Sequence, residues 1–267
     1  MSGLFDILAA AIRTNEPVAL ATVIDGPHRG AKLLVRPGQE PLGTLGDAEL
    51  DRVVARDALA ELEAARSGVR HYGPGGETTP EDLEGAPIVR VFVESHARPP
   101  QMWIFGAVDF TAALAKVAKV LGYRVTVCDA REVFATRRRF PMADEVIVSW
   151  PSPVFDERGV TLGQRDAVCV LTHDPKFDVP AIVGALATKV GYIGVMGSRT
   201  THDKRLQRLS EAGVTDPAQL DRLMSPIGLD LGARTPEETA ISICAEIIAR
   251  RTGHNAPSLK DASGAIH

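Results

Sequence analysis

The chain has 267 residues, 45% of them hydrophobic and 24% charged, with a net charge of −4. That length buries one large core or two modest ones. The acid excess argues against nucleic acid as the main partner, because phosphate neutralisation needs a basic face. No apolar run approaches the roughly 18 residues of a membrane span. No basic region followed by an apolar core and a cleavage site opens the chain, so it reads as cytoplasmic. Cys128, Cys169 and Cys244 sit in apolar contexts without C-x-x-C spacing. That predicts three buried thiols and no zinc site.

Leu4, Phe5, Leu8 and Ile12 mark a short amphipathic helix, ended near Asn15 and Pro17. Residues 18–24 form a nearly continuous apolar strand, and residues 31–36 a second strand beyond a Gly- and Pro-containing loop. Pro37-Gly38 is turn chemistry. Leu42-Gly43-Thr44-Leu45-Gly46 leads to Asp47, the N-cap of a helix reaching about Arg66. Strands around residues 69–72 and 88–94 flank a loop rich in Gly, Thr and Pro. These pieces make an α+β domain over residues 1–97, closed by a linker in which Arg98-Pro99-Pro100 breaks structure.

Trp103-Ile104-Phe105 then runs into Gly106, and apolar residues recur at Phe110, Leu114, Val117, Ala118 and Leu121. This is the spacing of a helix face buried on a sheet. Gly122 ends the helix, and Arg124-Val125-Thr126-Val127-Cys128 closes on Asp129. The pattern is the opening βαβ of a doubly wound fold, where the first turn faces a phosphate and the acid after the second strand a ribose. Gly106 and Asp129 are 23 positions apart (129 − 106), close to the roughly 20 such a unit needs. Further strands read at 145–148, 167–171 and 192–196, with helices at 179–189 and 201–212. Thr235-Pro236-Glu237-Glu238 opens the last helix as a capping box. The fold class is therefore α/β: a Rossmann-like doubly wound parallel sheet over 101–252, preceded by the smaller α+β domain. Residues 253–267 read as a frayed tail.

The glycine fingerprint is damaged. In place of G-x-G-x-x-G stands Gly106-Ala107-Val108-Asp109-Phe110-Thr111. Val108 adds bulk where a backbone should approach a pyrophosphate, and Asp109 puts a negative charge at the helix N-terminus. Asp109 reads as an N-cap. The fold is thus indicated more strongly than its usual dinucleotide ligand.

In an open parallel sheet, ligands bind beyond the carboxyl ends of the strands. Four polar sets fall there: Gly106-Ala107, Asp129-Ala130-Arg131, Thr172-His173-Asp174, and Gly197-Ser198-Arg199 with His202 and Arg205. Gly197-Ser198 before a helix offers amide donors and a hydroxyl to a phosphate, and Arg199 a bidentate contact. The alternatives are a helix cap for Ser198 and a solvated face for Arg199, His202 and Arg205. His173 beside Asp174 suits proton transfer or a hydrogen bond to a ligand ring, although Asp174 precedes Pro175 and also shapes a turn. Arg137-Arg138-Arg139 reads as a solvated basic loop within reach of an anion. No nucleophile–base pair or carboxylate pair is present, so no catalytic or metal-binding residue is assigned. A binder of a phosphorylated cofactor is favoured over a hydrolase or transferase.

Three longer motifs carry a resemblance. They are Thr172-His173-Asp174-Pro175-Lys176-Phe177-Asp178, then Tyr192-Ile193-Gly194-x-x-Gly197-Ser198-Arg199-x-x-His202-x-x-Arg205, then Pro226-Ile227-Gly228-Leu229-Asp230-Leu231-Gly232-Ala233-x-Thr235-Pro236-Glu237-Glu238. In this order they resemble the XdhC/CoxI family, the xanthine dehydrogenase accessory proteins. The N-terminal domain matches through Ala19-Leu20-Ala21-Thr22-Val23 and Gly30-Ala31-Lys32. The resemblance implies a cytoplasmic, homodimeric maturation factor. Such a protein binds the molybdenum cofactor (molybdopterin), works with a cysteine-desulfurase-type sulfurase, and delivers the cofactor to a molybdenum hydroxylase apoenzyme. Two departures stand out. The stretch Gly43-Thr44-Leu45-Gly46-Asp47-Ala48-Glu49 lacks the cysteine common in the family, and Gly106-Ala107-Val108-Asp109 replaces a frequent G-A-G-H. The alternatives are an NAD(P)-dependent oxidoreductase, from the βαβ unit and Asp129, and a cofactor-free scaffold for maturation partners.

Overall fold

The structure is a computed structural model that describes residues 3–73 and 89–261. The chain divides into two compact units, Met1–Pro99 and Pro100–His267. Among the described residues, no helix is long and apolar enough to cross a membrane.

In the first unit the order is α1 (Leu4–Thr14), β1 (Val18–Asp25), β2 (Lys32–Val35), β3 (Leu42–Thr44), α2 (Ala48–Ala64), β4 (Gly68–Tyr72) and β5 (Val89–His96). The strands form an antiparallel sheet in the order β3-β2-β1-β5-β4. Side chains alternate across a strand. Ala19, Ala21 and Val23 of β1 accordingly pack against α2 through Val54, Ala58 and Leu62. Val18 meets Leu8 and Ala11 of α1 on the opposite face. Asn15 ends α1 in the left-handed conformation, and Asp47 caps α2 by accepting from the Leu50 amide at 2.9 Å. The stretch before Asp47, for which the sequence pattern predicts no element, supplies the edge strand β3. Ile88 and the Gly-, Thr- and Pro-rich loop from residue 74 onward lie outside the described residues.

The second unit runs β6 (Gln101–Phe105), α3 (Asp109–Val120), β7 (Arg124–Asp129), β8 (Glu145–Val148), α4 (Pro151–Arg158), β9 (Ala167–Val170) and α5 (Pro175–Leu186). It continues with β10 (Tyr192–Val195), α6 (Arg199–Glu211), α7 (Pro217–Leu220), β11 (Leu223–Met224) and α8 (Pro236–Thr252). All six strands are parallel, in the order β11-β10-β9-β6-β7-β8. The first strand, β6, is central; the chain builds outward to β8, crosses over, and builds outward again from β9. The order reverses between β6 and β9, which makes that point the place where a crevice opens. Both faces are covered. Met102 and Ile104 join the core shared with Leu114 and Ala118 of α3 and with Ile243 and Ile247 of α8. Trp103 and Phe105 join the core shared with Phe155 of α4 and with Ala181 and Ile182 of α5.

Several boundaries differ from the sequence reading. α5 starts at Pro175 rather than near 179, because Asp174 caps it and accepts from the Lys176 amide at 3.0 Å. α6 starts at Arg199 rather than 201, with Ser198 as its cap. The cap of α3 is Val108, with no side-chain cap bond; Asp109 is the first helical residue, so its assignment as N-cap is corrected. α4, α7 and β11 have no counterpart in the sequence reading, being short and, for α4, proline-opened without an apolar period. The capping box at Thr235 and Glu238 is formed on both sides. After Gly253, residues 254–261 are exposed and include one 3-10 turn, Leu259–Asp261; residues 262–267 lie outside the described residues.

Candidate functional site

Gly106 sets the geometry at the switch point. Its φ is +116°, and a Cβ there would overlap Cγ2 of Thr172 and come within 3.2 Å of the Thr172 amide. A glycine is required for the ends of β6 and β9 to meet this closely. Beside this contact lies a cleft of about 410 Å³ lined by Val108, Asp129, Ala130, Arg131, Trp150, Thr172, His173, Asp174 and Phe177.

Asp129 is buried at the end of β7. One carboxylate oxygen accepts from the Ala107 amide at 2.8 Å, and the two together hold Arg131 in a fork through Nε (2.9 Å) and Nη2 (2.8 Å). The Arg131 amide adds a fourth bond at 2.9 Å. Burial alone would raise this carboxyl, but Arg131 and the two amides outweigh it and hold Asp129 below the ordinary carboxylate value. Asp129 therefore lines the cleft with its oxygens already committed, and its work is to fix the Gly106 turn and to aim Arg131. The Arg131 guanidinium also lies 4.7 Å from the Phe134 ring centroid.

In the basic run 137–139, Arg137 and Arg138 are exposed, as the solvated reading expects, and only Arg139 is half-buried against the Ala107 turn. Arg137 donates to the Ala143 and Asp144 carbonyls. Arg139 donates to the Ala107 carbonyl at 3.0 Å, meets Asp109 at 3.3 Å, and packs on Phe134 and Phe140. The charge that Asp109 brings to the amino end of α3 is thus offset by Arg139.

On the β9 side Thr172 is buried, and its hydroxyl donates to Asp178. His173 and Asp174 are exposed at the mouth. Trp150, half exposed, caps the amino end of α4 with its ring 5.8 Å from that of Phe177, centroid to centroid. Phe177 in turn lies 6.3 Å from Phe105, so an aromatic wall continues from the cleft into the core.

The structure therefore brings Asp129, Arg131, Thr172, His173 and Asp174 to one cleft, with Gly106 and Ala107 forming the turn that shapes it. Gly197, Ser198, Arg199 and His202 are not among the lining residues; they form a separate turn at the end of β10. There Ser198 accepts from the Thr201 amide at 3.2 Å, and Arg199 is exposed. Nδ1 of His202 is buried without a partner among the described residues. Burial, and then the nearby Arg205, hold His202 below the ordinary histidine value. Arg205 is no part of a solvated face: it is buried and donates to the Met196 carbonyl at 2.8 Å and to Ser225 Oγ at 3.1 Å.

Sequence reasoning missed Trp150 and Phe177 as lining residues. A strand-end rule restricted to polar side chains passes over both, because both are aromatic. The same rule without that filter leads from β8 directly to Trp150, two residues past Val148. The three cysteines are buried, as expected. Burial pushes Cys128 and Cys244 up to about 12 and Cys169 well above its ordinary value, so none is poised as a thiolate.

The same segments that build this cleft are matched in known proteins. Residues 102–247 match the XdhC Rossmann domain, and residues 11–73 match the XdhC and CoxI family. The first match alone covers more than half of the chain, and the chain belongs to the XdhC and CoxI family. Among curated relatives, the uncharacterised protein YqeB of Escherichia coli K12 is 28% identical over 250 residues, covering 91% of this chain and 45% of YqeB. A probable xanthine dehydrogenase component of Bacillus subtilis is 34% identical over 161 residues, 60% of this chain and 46% of that protein. The molybdenum cofactor insertion chaperone PaoD of Escherichia coli K12 is 34% identical over 85 residues, 32% of this chain and 26% of PaoD. The chain thus spans less than half the length of each of these relatives. A crystal structure of a xanthine dehydrogenase from Bacillus halodurans superposes with a TM-score of 0.53 at 21% identity, covering 95% of this chain and 97% of that one. That likeness is one of fold.

Proposed function

We propose that this protein serves the maturation of a molybdenum hydroxylase by holding the molybdenum cofactor in the strand-end cleft and passing it to the apoenzyme, without itself catalysing a reaction. The observation that carries this reading is the composition of the cleft. One wall is aromatic (Trp150, Phe177), the mouth is polar (His173, Asp174), and the Arg131 guanidinium stands beside the buried Asp129. These residues fit a flat, hydrogen-bonding heterocycle with an anionic tail. Trp150, half exposed and backed by the buried Phe177, offers a face to the ring, and His173 and Asp174 offer hydrogen bonds to its edge. Arg131 keeps Nη1 unpaired among the described residues while its other donors grip Asp129; that nitrogen suits a phosphate. When bound, the cofactor supplies the molybdenum–dithiolene centre that the hydroxylase uses.

Family membership and the relatives named for xanthine dehydrogenase and for cofactor insertion support this assignment. A sulfurase of the cysteine-desulfurase type and a second copy of this chain are the partners we propose for loading. The dinucleotide alternative is less well served. A ribose contact needs the Asp129 oxygens that Ala107 and Arg131 already occupy, and Val108 narrows the turn.

The test is direct. The protein is purified from a host that makes molybdopterin and from one that cannot, then denatured and oxidised, and the fluorescent pterin product is quantified. About one pterin per chain from the first host only is the expected result. None, even after free cofactor is added, overturns the carrier reading. Saturable NAD or NADP binding in the same preparation would then replace it with the oxidoreductase, and intact partner binding with no ligand would replace it with the scaffold.

A further inference from the structure

One buried polar cluster beneath the cleft has no role in holding the cofactor. Asp178 lies in the first turns of α5, only 4% exposed. One oxygen accepts from the Thr172 hydroxyl in the cleft; the other stands 3.6 Å from Nη2 of Arg205, itself 3% exposed. That same Nη2 donates to the Met196 carbonyl at 2.8 Å, and Nη1 donates to Ser225 Oγ at 3.1 Å. A Cβ on Gly197 would lie 3.3 Å from Nη2. Three segments at the carboxyl end of the sheet therefore converge on one carboxylate–guanidinium pair: Thr172 after β9, Met196-Gly197 after β10, and Ser225 after β11. A buried pair is costly to form and is poor evidence for stability by itself, whereas breaking one side of it is strongly felt. The backbone already joins these strand ends through the Met196 amide on the Val170 carbonyl (2.8 Å) and the Ile227 amide on the Val195 carbonyl (3.2 Å); the pair adds a side-chain tie among the loops just beyond those bonds.

We propose that Asp178 and Arg205 are positioning residues for the strand-end cleft, tying the Thr172 wall to the Gly197–Arg199 turn so that ligand affinity depends on the intact pair although neither residue touches the ligand. This rests on the cleft being the binding site. Asp178 faces Arg205 and Arg208 from α6 and Asp174 from its own amino end, and burial, the largest influence, pushes it up to about 6 against the pull of Arg205. Two consequences of opposite sign follow. Lowering the pH through 6 protonates Asp178 and weakens the tie, so affinity falls. For global stability the raised value works the other way: this group's contribution is fully present below its unfolded value near 3.8 and is lost as pH rises through about 6. An acid-induced loss of affinity from Asp178 is therefore not a loss of fold.

The experiment uses the full chain and a fluorescent, phosphate-bearing pterin, read by anisotropy from pH 5 to 8. Wild type is expected to weaken about tenfold on acidification, the usual scale for a partner that orients a binding group. Asp178→Asn, which keeps the shape but cannot ionise, should be weak throughout and keep only the shallower pH dependence of the probe's own phosphate, whose second pKa is about 6. Thr172→Ser, which keeps the hydroxyl, should retain the wild-type profile. Trp150→Ala, inside the cleft, should lose binding at every pH. Normal affinity and pH dependence in Asp178→Asn, with Trp150→Ala impaired, overturns the positioning role while leaving the cleft in place. Unimpaired Trp150→Ala overturns the cleft itself. Hydrogen exchange gives a ligand-independent reading: Asp178→Asn should speed exchange at residues 172–174 and 196–198 together, leaving β6 and β9 unchanged. Faster exchange at only one of the two segments, or at neither, overturns the tie.

Discussion

At Gly106 and at Gly197 a parallel strand ends in a glycine of positive φ, and a helix begins within three residues. The two turns nevertheless dispose of their polar groups in opposite ways. Around Gly106 everything is turned inward. Asp129 takes the Ala107 amide, Thr111 donates to the Gly106 carbonyl, and Arg139 donates to the Ala107 carbonyl while meeting Asp109. Around Gly197 the support comes from below, through Arg205, and Ser198 and Arg199 remain exposed. A strand–glycine–helix turn is thus not a ligand site by virtue of its backbone. What it offers depends on whether nearby side chains have already used its donors.

Substitutions at the two turns put this contrast to the test. Gly106→Ala should be the most damaging change, because a disfavoured φ coincides with overlap on Thr172; a loss of about 3 kcal/mol is expected in urea unfolding. Asp129→Asn should follow at about 2 kcal/mol, since the guanidinium fork and a buried amide lose a charged acceptor. Asp129 is held below its unfolded value, so its contribution is present above that value and is lost as pH falls through the folded one. Wild type should therefore lose stability more steeply than Asp129→Asn on acidification below about pH 4, the range of an ordinary aspartate. Gly197→Ala carries the strained φ of +146° with nearest contacts of 3.2–3.3 Å, and should cost about 1–2 kcal/mol. Equal losses at Gly106 and Gly197 would mean that the Thr172 contact yields easily. Ser198→Ala removes only a cap and should cost about 1 kcal/mol. Arg199→Ala should change stability by less than about 0.5 kcal/mol. If its exposure serves a ligand it should still weaken pterin binding; unchanged binding would leave that turn structural.

The βαβ unit at 103–129 was legible because helix and strand periods are local properties of the chain. The alternation of Met102 and Ile104 with Trp103 and Phe105 places one pair on each face wherever a sheet is covered on both sides. Ser198 and Thr235 were readable as caps in outline, since a cap lies within a few residues of the groups it satisfies, whereas Asp174, which reads as a turn former, proves to be the cap of α5. Asp109 misled because the same residue type suits a cap and an ion pair, and Arg139, 30 positions away, decided between them.

Two units, the parallel sheet of the second, the identity of its strand-end residues and the glycine at each turn could all be read from the order of residues. Those follow from patterns whose range is a few residues. Which of the strand-end residues share a cleft, and which are already spent, emerged with three-dimensional packing alone. Asp129 was consumed by Ala107 and Arg131, Arg205 was buried against Asp178 at the carboxyl end of the sheet, and Trp150 was brought against Phe177. Each outcome depends on a partner distant in the chain or on a neighbouring loop's path. Burial also sets the strength of every charge involved, and burial is a property of the packed molecule.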